Sequence, residues 1–160
     1  MEDGTEYGIG ADGQNFNWEL LPWHSIEDSI RKLRQRIFRA TKEQRWNAVR
    51  SLTKLMLRCH ANLLASVRLA TQTNKGKRTA GIDNQVALTP AARTSLAQEM
   101  TEYKTWKIKP TKRIYIPKGN SNKLRPLGIP VMKDRVAQAI VKNALEPNWE
   151  ARFEQNGYGF

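Results

Sequence analysis

Residues 112–135 read K-R-I-Y-I-P-K-G-N-S-N-K-L-R-P-L-G-I-P-V-M-K-D-R. Apolar and polar side chains alternate over 113–116, and this alternation is typical of a half-buried β-strand. Glycine, serine and asparagine follow at 119–122, where they favour a tight turn. The chain is therefore predicted to return as a second strand over 124–129. Pro126 lies inside that strand and favours an edge or irregular strand, because proline donates no backbone hydrogen bond.

The same segment is strongly basic. Residues 104–135 contain ten lysines or arginines and one acid, Asp134. Such an excess repels itself unless polyanions bind there. A solvated basic surface is the alternative, but a rigid hairpin would hold cations and apolar side chains in a fixed relation to a nucleic acid. The ten basic residues are Lys104, Lys107, Lys109, Lys112, Arg113, Lys118, Lys123, Arg125, Lys133 and Arg135.

Charge is unevenly distributed along the 160 residues. The formal net charge is +12, yet residues 1–24 hold five acids and neither lysine nor arginine. This division predicts an acidic flexible leader at 1–24, a basic helical extension at 25–70 and a further module at 71–160 with its hairpin at 112–130. A basic body of this kind favours a nucleic-acid partner.

Several classes of protein are disfavoured. Cys59 is the sole cysteine, so neither an internal disulfide nor a cysteine metal cluster is expected. The sequence has no run of about 20 apolar residues, so we predict no membrane span. The leader lacks the basic start and apolar run of a secretory signal, so we expect a cytoplasmic protein.

Helical periodicity precedes the hairpin. A first helix is predicted from Ser25, with a capping-box spacing to Asp28. Its basic side, which includes Arg31 and Arg34, is either solvated charge or a surface for an RNA backbone. The apolar residues predicted to face inward are Ile26, Ile30, Leu33 and Ile37.

A second helix is predicted from Thr41 to about residue 70. A third is expected to start at Thr89 and Pro90, and a fourth to cover 133–145 until Pro147 breaks it. The residues of the second helix predicted to face inward are Trp46, Val49, Leu52, Leu55 or Met56, Cys59, Leu63 and Val67, and those of the third are Ala92, Leu96 and Met100.

Two motifs carry a family resemblance. One run reads R-I-Y-I-P-K-G-N-S-N-K-L-R-P-L-G-I-P-V-M-K-D-R-V-A-Q-A-I from Arg113, and L-E-P and a terminal N-G-Y-G-F follow it. Upstream, K-R-T-A-G-I-D occupies 77–83. In this order they closely resemble the N-terminal fingers region of reverse transcriptases encoded by group II introns. The resemblance covers roughly 31–160 and is strongest from Thr79 onward.

The resemblance implies roles for particular residues. Lys118 and Arg125 match positions that hold the triphosphate of the incoming nucleotide, as a point charge and a bidentate fork respectively. Arg113 matches a template-contacting position, and Ile129 one that packs near the templating base pair. Residues 25–70 loosely resemble an extension that contacts intron RNA and template.

The basic loop at 71–78 leads into T-A-G-I-D, which in this family lies near the template. We therefore expect Lys75, Lys77 and Arg78 to contact RNA, although a solvated linker is the alternative. Asp83 is interpreted as a turn residue rather than a catalytic carboxylate. Asn84 stands where the family usually has glycine, and asparagine tolerates the left-handed conformation that such a turn needs.

Polymerases of this type bind two Mg²⁺ ions through aspartates of the palm. The sequence contains no Y-x-D-D motif. We therefore assign no catalytic residue, metal site or cofactor to this chain, and expect Mg²⁺ only with a complete palm. The predicted fold is a mostly helical α+β module with a small antiparallel hairpin, like the fingers of a reverse transcriptase and without a palm.

On this interpretation the chain binds RNA but cannot polymerise alone. The expected partners are structured intron RNA, DNA or a DNA–RNA hybrid, and a palm-containing polypeptide or larger complex. The alternative function is a non-catalytic RNA-binding adaptor or assembly factor derived from a reverse transcriptase.

Overall fold

The computed structural model describes residues 16–102, 108–119 and 121–153, and the side chains of 121 and 122 are not described. The predicted class is confirmed, since these residues form five α-helices and one two-stranded antiparallel sheet. None of the described helices is long and apolar enough to cross a bilayer. The elements are a 3-10 turn at Trp18–Leu20, α1 at Trp23–Lys42, α2 at Trp46–Arg58, α3 at His60–Arg68, a π turn at Leu69–Thr73, a 3-10 turn at Lys75–Arg78, α4 at Pro90–Thr101, β1 at Lys112–Lys118, β2 at Ser121–Ile129 and α5 at Met132–Glu150.

The core lies between α1, α2, α3 and α5, and α4 closes one side of it. The predicted inward face of α1 is confirmed, because all four of its apolar residues are buried. Leu96 and Met100 of α4 are buried as predicted, whereas Ala92 is half-buried. The Thr89 hydroxyl caps α4 by accepting from Ala92 N at 3.2 Å, and Pro90 occupies the first turn. Residues from both predicted segments, 25–70 and 71–160, share this core.

The start of α1 differs from the prediction. The helix begins at Trp23 after Pro22, and not at Ser25. Asp28 does not complete a capping box. Its carboxylate instead forms ion pairs with Arg31 and Lys32, one turn further along the same helix. Asp28 pairs with Arg31 and Lys32 because residues three and four positions apart are neighbours on the surface of a helix.

The predicted second helix was wrong at its start and in its continuity. Thr41 lies inside α1, where its hydroxyl donates to Ile37 O at 2.9 Å, so it caps nothing. The chain turns at Gln44, whose φ is +54°, and α2 begins at Trp46. Trp46 was predicted to face inward but is exposed.

The rest of that helix is divided at Cys59, which has an extended backbone and a half-buried side chain. Met56 and not Leu55 faces the core. Asn62 stabilises the break, because its fully buried side-chain amide donates to the carbonyls of Met56 at 3.0 Å and Ile140 at 3.2 Å. A buried carbonyl that lacks its helical partner is costly unless another donor reaches it.

Pro147 does not end the last helix, contrary to the prediction. α5 begins at Met132 and continues to Glu150 with Pro147 buried inside it. The hydrogen bond from Ala151 N to Pro147 O, 3.1 Å long, extends the helix beyond the proline. The buried packing of Pro147 outweighs the local cost of a proline in a helix.

The leader was predicted to be flexible over 1–24, and residues 1–15 lie outside the described residues. Residues 16–24 contradict the prediction because they belong to the fold. Trp18 is only 2% exposed, packs at 5.0 Å from the Trp23 ring and donates its indole N–H to Gln72 Oε1 at 3.1 Å. Burial of a large aromatic side chain compensates for the polar neighbours that suggested disorder.

Candidate nucleic-acid interface

The predicted hairpin is confirmed. β1 and β2 pair antiparallel, from Lys112 opposite Ile129 to Lys118 opposite Ser121. The register shifts between Pro117 and Lys118, at the turn end of the hairpin. Gly119 in the turn has a φ of +52°, a conformation that favours glycine.

The register places the predicted site residues on different faces. Arg125 pairs with Ile116, whereas Arg113 pairs with Gly128. Because successive residues of a strand point to opposite faces, Arg113 and Arg125 project on opposite sides of the hairpin. Any one ligand lying flat on a single face of the hairpin would therefore be near Arg125 or Arg113, but not both.

The hairpin projects from the helical body. Among its described side chains over 112–128, only Ile114 and Ile116 are half-buried and the others are exposed. Ile129 is the anchor at the base, at 8% exposure. The sequence of 112–129 contains no acid, so its five cations form an exposed surface of a single sign. These cations are Lys112, Arg113, Lys118, Lys123 and Arg125.

Arg135 joins the hairpin base to the loop that precedes α4. Its guanidinium donates to the carbonyls of Pro130 at 3.0 Å, Gly76 at 3.0 Å and Thr79 at 2.6 Å. Burial lowers the pKa of Arg135, and the charge of Asp83 opposes that effect. Arginine donates to these three carbonyls from three separate nitrogen atoms of its planar fork, whereas lysine donates from a single nitrogen.

Gly81 makes a second close contact at the same junction. A Cβ atom added there would lie 2.7 Å from Val131 Cα and 2.8 Å from Val131 N, so only glycine allows this approach. The predicted turn after it is confirmed: Asp83 Oδ1 accepts from Gln85 N at 3.2 Å, and Asn84 has a φ of +54°. The T-A-G-I-D loop is thus packed directly against the start of α5.

The three cations of the basic loop are not equivalent. Lys75 and Arg78 are exposed on the 3-10 turn. Lys77 is half-buried, and its ammonium donates to the carbonyl of Gln72 at 2.8 Å. Lys75 and Arg78 are therefore placed to meet a ligand, whereas Lys77 is engaged with its own loop.

The two predicted contact residues of α1 also differ. Arg31 has a side chain that is 67% exposed and pairs with Asp28 at the surface. Arg34 is 26% exposed and forms ion pairs with Glu146 at 2.9 Å and Glu150 at 3.6 Å, both on α5. Burial raises the pKa of Glu146, but the hydrogen bonds and charges of Arg34 and Lys142 together outweigh this and lower it overall. Arg34 thus connects two helices, a role that its place in a basic run did not predict.

From the sequence, Arg135 was counted only as one of the ten cations around the hairpin and Arg39 only as part of the basic side of α1, and no role was predicted for Phe38 or Lys42. Phe38 follows Ile37 but lies outside the apolar stripe of α1, so the sequence carried an unused signal that a large aromatic side chain faces outward there. The contacts of Arg135 could not be predicted from its neighbours in the sequence, because two of its three carbonyl partners lie 56 and 59 positions away.

A model of the N-terminal domain of reverse transcriptase matches residues 18–100, more than half of the chain. The chain belongs to this family. The match covers α1 to α4 and the loop that Arg135 and Gly81 hold against α5. The resemblance inferred from the two motifs is thereby confirmed as that of an N-terminal reverse transcriptase and maturase region.

Individual relatives extend the comparison beyond residue 100. Protein YkfC of Escherichia coli K12 is 31% identical over 146 residues, which is 89% of this chain and 33% of that protein. The group II intron-encoded protein LtrA of Lactococcus lactis subsp. cremoris is 37% identical over 90 residues, 55% of this chain and 15% of that protein. Maturase-like protein 1 of Euglena gracilis is 27% identical over 151 residues, 92% of this chain and 31% of that protein. The chain therefore spans a third or less of the length of these relatives.

Proposed function

We propose that this chain is the RNA-binding fingers portion of an RNA-directed DNA polymerase of the group II intron type. The observation that carries the proposal is the projecting hairpin, with five cations and no acid, held at its base by Arg135 and Gly81. Electrostatic attraction to phosphates supplies most of the affinity of such a surface, and its rigidity fixes where the phosphates lie. The group II intron relative supports RNA as the partner.

Lys118 and Arg125 would hold the triphosphate of an incoming nucleotide at the turn end of the hairpin. Arg125 is exposed opposite Ile116, where its guanidinium can form a bidentate contact with phosphate oxygens. Arg113, on the other face, would contact the template together with Lys75 and Arg78 of the loop. Ile129 would act less directly, because it is buried at the base and fixes the angle of the hairpin.

Synthesis would need further polypeptide. The described residues contain no group of three acids, histidines or cysteines that could hold a metal ion. Glu99 is paired with Lys133, whose hydrogen bond lowers the Glu99 pKa, and Glu146 is paired with Arg34. We assign no catalytic step to this chain, because its sequence lacks the Y-x-D-D motif of the metal-binding palm aspartates.

That further polypeptide would dock on an exposed apolar stripe of α5. Val141, Leu145 and Trp149 follow one another at intervals of four residues, and all three are exposed. Residues at this spacing share one face of a helix, and an exposed apolar stripe is typical of a contact with another polypeptide. A palm-containing polypeptide would occupy it in a polymerase, and another protein in the alternative function, a non-catalytic RNA-binding adaptor.

The test is a binding titration of the purified chain at several salt concentrations against a folded group II intron RNA and a length-matched unstructured RNA. Preference for the folded RNA at every salt concentration is expected. Equal and steeply salt-dependent binding to both would reduce the hairpin to a nonspecific electrostatic surface and contradict specific recognition. A coding sequence for a Y-x-D-D palm directly downstream would favour the polymerase, and an unrelated neighbouring operon would favour the adaptor.

A further inference from the structure

A groove of about 790 Å³ runs along α1 where this helix meets α3 and α5. Its lining extends from Glu27 to Lys42 on α1, a length of about 22 Å at the rise of an α-helix. Ile30, Ala65 and Pro147 contribute apolar surface to it. Among the described residues, none of the hairpin lines this groove, whereas Arg31 and Arg34, the two predicted contact residues of α1, do.

The acids of the groove are neutralised by the protein itself. Glu27 pairs with Arg68 at 2.7 Å, and Glu150 pairs with Arg34 at 3.6 Å. In contrast, Arg39 and Lys42 have no carboxylate within ion-pair distance among the residues that the structure describes. The groove therefore offers cationic charge to a ligand at its Lys42 end.

Phe38 lines the groove with these two cations and is 39% exposed. The ammonium of Lys42 sits over its ring, 5.7 Å from the centroid. An exposed cation–π contact is weaker than the stacking of a nucleobase on an aromatic ring. A base could thus displace Lys42 from the ring, and the released ammonium would then be free to meet the phosphate of the same nucleotide.

We propose that this groove binds one unpaired nucleotide of an RNA, with its base stacked on Phe38 and its phosphate held by Arg39 and Lys42. Gln35, which also lines the groove, offers both a donor and an acceptor to the edge of the base. An apolar peptide would leave the two cations without partners, whereas a nucleotide satisfies both the ring and the charges. The inference rests on the proposed function, because it presumes that the chain binds RNA.

The experiment compares two RNA hairpins that are identical except for one bulged uridine, with affinities measured at fixed salt. The bulged RNA should bind about tenfold more tightly, equivalent to ~1.4 kcal/mol. Phe38→Ala should abolish that difference and leave the affinity for the paired RNA unchanged, whereas Phe38→Tyr should retain it. Phe153→Ala, at an exposed aromatic outside the groove lining, is the matched control and should behave as the unsubstituted chain.

A second readout is photocrosslinking with 5-iodouridine at the bulge, which should label the peptide that contains Phe38. Equal affinity for the two RNAs, or a crosslink outside α1, would overturn the groove assignment while leaving RNA binding intact. Failure of the chain to bind either RNA would instead overturn the proposed function and the groove assignment together. Unfolding curves of the Phe38 variants establish that any loss does not arise from misfolding.

Discussion

The guanidinium of Arg135 donates a hydrogen bond of 3.0 Å to the carbonyl of Gly76, 59 positions earlier in the chain. This contact unites the 3-10 turn that carries Lys75 and Arg78 with the start of α5, directly after the hairpin. Two basic segments that are distant in sequence therefore present their cations from one rigid unit. A nucleic acid that binds both segments meets a preformed surface, so little ordering cost is added on binding.

Replacing Arg135 should loosen this unit. Arg135→Lys keeps the charge but cannot reach all three carbonyls, so we expect the free energy of unfolding to fall by about 1–3 kcal/mol. Urea denaturation measures this change, and hydrogen exchange should accelerate in residues 75–81. Lys142→Ala, at an exposed cation of the same helix, is the control and should change stability by less than about 0.5 kcal/mol. Unchanged exchange in the loop would show that Arg135 does not hold it.

Gly81→Ala should also destabilise the fold, because the added methyl group would meet Val131 backbone atoms at 2.7 and 2.8 Å. Forced overpacking of this kind costs about 1–3 kcal/mol. Gly76→Ala is the matched control, since its nearest non-neighbouring atoms lie at 3.8 and 3.9 Å. Thermal unfolding of the two variants should therefore show a much lower Tm only for Gly81→Ala. Equal Tm values would mean that the loop can shift away from α5 at little cost.

Substitutions of the cations of α1 and of the basic loop should have two different effects, one on the salt dependence of RNA binding and one on stability. Arg31→Gln and Lys75→Gln should each lower the slope of log affinity against log salt by about 0.7 for single-stranded RNA, with little loss of stability. Arg34→Gln should mainly lower stability, because it removes the ion-pair partner of Glu150 and leaves Glu146 paired only with Lys142. Salt titrations and urea denaturation of the three variants distinguish these effects. An unaltered slope in Arg31→Gln or Lys75→Gln would place that residue outside the RNA interface.

Arg125→Ala should impair use of nucleoside triphosphates without weakening the fold. The side chain is exposed on the hairpin, so its removal should change the free energy of unfolding by less than about 0.5 kcal/mol. In an enzyme reconstituted with a palm polypeptide, loss of a charged phosphate contact should raise KM for the nucleotide by about tenfold or more. Lys123→Ala, at another exposed cation of the same strand, is the control. A variant that only unfolds more easily would refute the phosphate role.

The stability of the protein should depend on pH near the histidine range. Burial lowers the pKa of His60, so the folded protein resists protonating it while the unfolded chain takes up a proton at about pH 6.5. Stability should therefore decline as pH falls from about 6.5 through the lowered pKa of the folded state. His60→Gln should flatten this decline in urea denaturation between about pH 7.5 and 5.5. A decline that persists in His60→Gln would assign the dependence to other groups.

Some features were predictable from sequence because their causes are local. The alternation of 113–116 and the turn formers after it specified the hairpin, and Thr89 with Pro90 specified the start of α4. Asn84 marked a left-handed turn even though it replaces the usual glycine. In each case the deciding interactions lie within a few residues, where side-chain periodicity, capping and backbone preference act directly.

Long-range partners decided the rest. Arg34 and Arg135 look alike in the sequence as basic residues, but one connects α1 to α5 and the other holds a loop by its carbonyls. Asn62 stabilises a helix break that the apolar pattern does not show, and Pro147 remains inside α5 because its buried packing outweighs its local cost. The sequence by itself determined the hairpin, the inward face of α1 and the excess of positive charge. Only the tertiary structure decided which cations stay exposed to a ligand, because that depends on carboxylates and carbonyls brought close by packing.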